Sequence, residues 1–151
     1  MLRGLLATVV IVFAGLQFVG PARTNPPWTP SQALAAHVPV PNDVQDVLSR
    51  SCWNCHSNQT VWPWYSHIAP LSWRVINDVN AARDQMNFTD WRHSPEESAD
   101  LLDGICQQVR RHRMPLPSYT HIHGDARLSD KDIKRLCAWT DNAVAQLSAS
   151  H

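Results

Sequence analysis

The sequence predicts an all-α fold, and three observations predict it. Four stretches carry apolar residues at helical spacing, two of them open on strong start signals, and no run alternates as a half-buried strand would. At 151 residues and 44% hydrophobic content the chain allows one domain with a modest core. Thirteen basic residues balance thirteen acidic ones, so nothing in the charge suggests a nucleic-acid surface.

Taken in order, residues 1–20 read as a signal peptide or a membrane anchor. Met1-Leu2-Arg3 is a positive start, and the apolar run Leu5 to Val19 follows it. That run is shorter than the roughly 20 residues of a spanning helix, although tilt or bilayer thinning accommodates a short span. Gly20-Pro21-Ala22 is a mediocre cleavage site because of its proline, which favours an uncleaved anchor with Arg3 on the cytoplasmic side. Residues 21–41, with Pro21, Pro26, Pro27, Pro30, Pro39 and Pro41, read as an extended linker.

The domain proper is expected over 42–147. A first helix starts near Asn42 as cap and carries Val44, Val47 and Leu48. A second begins at Ser72, with Trp73, Ile76, Val79 and Arg83 in register and Met86 closing it. The third has Ser94 as cap, Pro95 in the first turn and Glu97 completing a capping box. Its apolar face is Leu102, Ile105, Cys106 and Val109, and basic residues fill its last turn. The fourth opens at Ser129 with Asp132 three residues on, and its stripe is Ile133, Leu136, Cys137, Thr140 and Val144. Proline-rich loops separate them.

The chemistry sits in Cys52-Trp53-Asn54-Cys55-His56, the spacing of a covalently attached c-type haem. Two thiols on one face of a turn add to the two vinyl groups of the porphyrin, and the adjacent imidazole takes the iron from the proximal side. A thioredoxin-like pair would need a βαβ setting, which is absent from the pattern. A zinc site would need a second closely spaced cysteine pair, and Cys106 and Cys137 stand far apart. A disulfide within the motif would leave His56 unexplained. The motif makes the expected fold a cytochrome c-like helical domain.

An iron with one histidine leaves a sixth position. Met114 is the best candidate, in Arg113-Met114-Pro115-Leu116-Pro117, where two prolines stiffen the loop and a thioether raises the potential. The rivals are His123 and His121, then His112, His67 and His93; an open position would turn the site towards gases or peroxide. As a plain alternative Met114 fills a gap in the core. Cys106 and Cys137 both fall on apolar stripes, and in an exported chain they are expected to pair; two separate buried thiols are the alternative. Trp62-Pro63-Trp64-Tyr65-Ser66 offers either a haem wall or a rigid aromatic loop under the core.

Together with Asn25-Pro26-Pro27, Ile68-Ala69-Pro70, Ser72-Trp73 and Asn87-Phe88-Thr89-Asp90-Trp91, these motifs resemble the bacterial haem-binding domain family over roughly residues 17 to 140. The later Met114-Pro115, Tyr119, His123 and Ala126 to Ser129 are similar to its C-terminal pattern. The resemblance implies one haem held by Cys52, Cys55 and His56, an N-terminal anchor and a cytochrome-like fold. Ala82, where glycine is usual, and the added Cys106 and Cys137 depart from the pattern. The expected function is a single-haem electron carrier at the inner membrane, its domain facing the periplasm near a membrane-bound redox partner; if the N-terminal segment is cut, the carrier is exported and soluble. The alternatives are a haem-based sensor or accessory subunit, and a small peroxidase-like enzyme.

Overall fold

A computed structural model of the chain describes residues 1–149, and among them there is no strand. Seven α-helices occur: α1 Leu2–Leu16, α2 Leu34–His37, α3 Asn42–Ser51, α4 Leu71–Gln85, α5 Pro95–Arg110, α6 Pro117–Ile122 and α7 Asp130–Ala149. The four expected domain helices are α3, α4, α5 and α7, while α2 and α6 are too short to show periodicity.

Local chemistry explains the ends. The capping box of α5 is complete: the Glu97 amide donates to Ser94 Oγ at 3.2 Å, and the Ser94 amide to Glu97 Oε2 at 3.0 Å. Ser129 and Asp132 repeat this reciprocal pattern at the start of α7, at 3.2 and 2.9 Å. Asn42 is not the cap of α3 but its first residue. The Pro41 carbonyl already accepts from Val44 and Gln45, which puts Pro41 in the cap position.

The core lies where α3, α5 and α7 meet. Leu48, Leu102, Leu136 and Trp91 are fully buried there, and each leucine contributes about 2 kcal/mol by leaving water. The Cys106–Cys137 disulfide crosses from α5 to α7, as the stripes predict. Helix α4 stands apart from this cluster. Its Ile76 and Val79 are buried on the side of the 3₁₀ turn Trp64–His67, against which α4 packs.

Residues 21–41 do not form the extended spacer that their prolines suggest. Ala33, Leu34 and Val38 are buried, and the Leu34 and Trp91 amides donate to the carbonyls of Phe88 and Gln32. Arg83 clamps the segment further: its guanidinium donates to Thr24 O and Asn25 Oδ1, and on the domain side to Ser57 O and Thr60 Oγ1. Enough apolar and hydrogen-bonding groups lie between the prolines to fold the segment back. Just before it, Gly20 has φ +146° and lies against the Trp73 indole, leaving no room for a Cβ.

Helix α1 exposes its apolar surface, and none of its residues is buried. Fifteen residues span about 22 Å, against about 30 Å for a bilayer's hydrocarbon core. No helix among the described residues is long and apolar enough to cross a membrane.

Candidate functional site

Helix α3 delivers the motif. Its last turn runs into Cys52, whose amide donates to Leu48 O, and the next turn closes when the Cys55 and His56 amides both donate to Cys52 O, at 3.2 and 3.0 Å. Trp53 stacks on Phe88 at 5.7 Å and donates to Gln59, which fixes the back of the turn. Asn54 locks the front. It accepts from the Val61 amide and the Thr60 hydroxyl, and donates to the Tyr119 hydroxyl on α6 at 3.0 Å.

His56 is held from both sides. Its ring packs on Phe88, and its Nδ1 lies 3.0 Å from the Met86 carbonyl at the end of α4. A carbonyl only accepts, so Nδ1 carries the proton and Nε2 keeps its lone pair. Burial also lowers the imidazole pKa, so the ring stays neutral, as a metal ligand must be.

The two thiols are free and half-buried. Burial pushes Cys52 up to about 12, with the neighbouring Cys55 adding to it. Burial and Asp78 push Cys55 up to about 11. Such thiols stay protonated at neutral pH, unlike the low-pKa thiolate of a redox-active pair.

Cys55 lies on the wall of a cavity of about 320 Å³ between the motif, α4 and α6. The wall is mostly apolar, with Val75 and Val79 from α4, Leu116 and Ile122 around α6, and Trp64 from the aromatic segment. That is the lining expected of a site for a flat apolar ligand. Cys52 and His56 belong to the motif turn at its edge and do not line it. A second depression, about 620 Å³ and polar, lies by Thr24, Arg83 and Asp90 and holds none of the motif's cysteines or its histidine.

Met114 follows α5 and is half-buried, outside both the core cluster and the cavity wall. His123 does line the cavity. Its Nε2 is 2.8 Å from the Tyr65 hydroxyl, and its ring stacks on Tyr119 at 4.3 Å. His121, His112, His67 and His93 are exposed. Tyr65 is buried and Trp64 stands out at the rim, so the aromatic segment is both cavity wall and packing element. The Met86 carbonyl is a backbone group and leaves no side-chain signal. Tyr119 and His123 are four residues apart on one helical turn, a spacing that does point to their contact.

Among the described residues no group of three or more His, Cys, Asp or Glu side chains is arranged to hold a bare metal ion. The residues fit a metal that arrives within a ring supplying most of its ligands. The model of the haem-binding domain family matches residues 11–142, whereas no curated protein and no solved structure matches the chain. With the motif turn, the anchored imidazole and the apolar cavity all inside that span, the chain belongs to the haem-binding domain family.

Proposed function

We propose that the chain is a membrane-tethered c-type haem protein that carries single electrons on the periplasmic side. One observation carries the reading: His56 has Nδ1 committed to the Met86 carbonyl, one residue from a cysteine on the wall of an apolar cavity. Cys52 and Cys55 would hold the group, each adding its S–H across a vinyl, sulfur to one carbon and hydrogen to the other, with no net oxidation. The bound iron supplies a one-electron couple.

The protein's share is to hold and tune. His56 would hold the iron through Nε2, and its hydrogen bond to Met86 raises its basicity. Met114 would supply the second protein ligand. Among the described residues its sulfur has no hydrogen-bond partner, and it precedes by two residues the Leu116 that lines the cavity. His123 is engaged by Tyr65 and Tyr119 and would forfeit the Tyr65 contact on ligating. Tethering is assigned to the exposed apolar α1, and the disulfide between Cys106 and Cys137 suits an oxidising compartment.

Mass spectrometry of the membrane-fraction chain, made in a host that attaches c-type haem, tests the attachment. The expected mass is the polypeptide plus one haem, lost in Cys52→Ala/Cys55→Ala; the bare polypeptide mass overturns the reading. A reduced low-spin spectrum indifferent to carbon monoxide supports electron transfer, whereas a shift with carbon monoxide favours sensing or peroxide chemistry.

A further inference from the structure

The exposed large hydrophobic residues fall into two sets only, among the described residues. One is the N-terminal stretch, Met1 to Val19. The other is Val61, Trp64, Ile68, Leu71 and Ile122, of which Val61, Trp64, Leu71 and Ile122 rim the cavity while remaining 74, 73, 55 and 62% exposed. Elsewhere the described surface exposes no large hydrophobic side chain, so the rim is a selective feature.

The two sets adjoin. Gln17 Oε1, just past α1, accepts from the Ala69 amide at 3.0 Å, and Val19 O accepts from Trp73 Nε1 at 2.6 Å. Arg23 donates to Ser66 O. The end of α1 is therefore fastened to the segment that carries Trp64, Ile68 and Leu71. Arg23 and Arg74 stand exposed beside this segment, cations of the kind that lipid phosphates attract.

We infer that the rim of the haem cavity is a lipid-contacting collar that seats the domain in the bilayer interface. The inference rests on the reading of α1 as the tether. The shortness of α1 is what makes the collar necessary. A helix about 8 Å short of the hydrocarbon thickness draws its attached domain down to the membrane or thins the bilayer. An apolar rim with an indole at its edge suits the first course, because aromatic side chains settle at the headgroup boundary. The outcome is a cavity whose mouth faces the membrane, with electron exchange confined to partners at that surface.

The test uses the full holoprotein in phosphatidylcholine–phosphatidylglycerol vesicles doped with a lipid carrying a photoactivatable acyl chain. After flotation and illumination, cross-linked peptides are mapped by mass spectrometry. Cross-links are expected in two places, residues 1–19 and the peptides bearing Val61 to Leu71 and Ile122, with loss of the second set in Trp64→Ser/Ile122→Ser. Both positions are exposed, so the variant should fold, and an unchanged far-ultraviolet circular dichroism spectrum verifies that. Cross-links confined to residues 1–19 would overturn the collar and leave the tether standing. Failure of the holoprotein to float would overturn both.

Discussion

The Nδ1 atom of His56 lies 3.0 Å from the Met86 carbonyl, a contact that joins the haem motif to the end of α4 across thirty residues of sequence. It fixes ring orientation and tautomer together, as supporting hydrogen bonds to metal-bound histidines do.

His56→Ala should therefore separate holding from tuning. The two proposed thioethers should keep haem on the chain, so the covalent mass is retained while the low-spin signature disappears and added imidazole restores it. An unaltered low-spin spectrum in His56→Ala would exclude this histidine from the iron.

Met114→Ala should lower the potential and open the iron to carbon monoxide, because on the proposed assignment it removes the thioether that favours the reduced state. His123→Ala should leave the low-spin spectrum in place, having removed only a partner of Tyr65 and Tyr119. Spectra of the two variants side by side decide between the ligands; the opposite pattern transfers the assignment to His123.

Helix α5 illustrates what was legible in the sequence. Ser94, Pro95 and Glu97 announce its start through local chemistry alone, and its stripe carries Cys106 to a disulfide with Cys137. The turn from Cys52 to His56 was legible for the same reason, since its spacing is local. The fold-back of residues 21–41 was not. It depends on Arg83, Phe88 and Trp91, whose contacts with Thr24, Leu34 and Gln32 are fixed only in the folded chain. The Met86 carbonyl escaped because every residue has one. The cavity-lining role of His123 escaped because α6, with Pro117 in its first turn and six residues in all, carries too little pattern to orient a side chain.

Replacing Cys106 and Cys137 with serine should cost about 3 kcal/mol, since the bridge closes a loop across a separation of 31 residues and restrains the unfolded chain. Urea unfolding of oxidised, reduced and doubly substituted protein measures it. The haem mass should persist in the variant, because its thiols are the other pair. A variant as stable as the oxidised protein would show that α5 and α7 need no staple.

Arg50 and Asp132 join the residue two before the haem motif to the start of α7, at 2.7 Å. Arg50 also donates to the carbonyls of Asp125 and Arg127, so one guanidinium ties α3 to the loop behind α6. Partial burial alone would raise the Asp132 carboxyl pKa. Hydrogen bonds from the Ser129 hydroxyl and amide and from Arg50 outweigh it and hold the carboxyl at about 2. A folded pKa below the unfolded one means that the native state binds that proton less readily. The stabilisation is therefore full above about pH 4 and fades as pH falls towards 2. Solvent screening of this partly exposed cluster reduces it to about 1 kcal/mol. Asp132→Asn should accordingly be about 1 kcal/mol less stable than the native chain at pH 7, with the gap closing near pH 2. Paired denaturation curves at those two pH values check it. A gap that persists at pH 2 would mean that Asp132 acts through its shape and hydrogen bonds rather than through its charge.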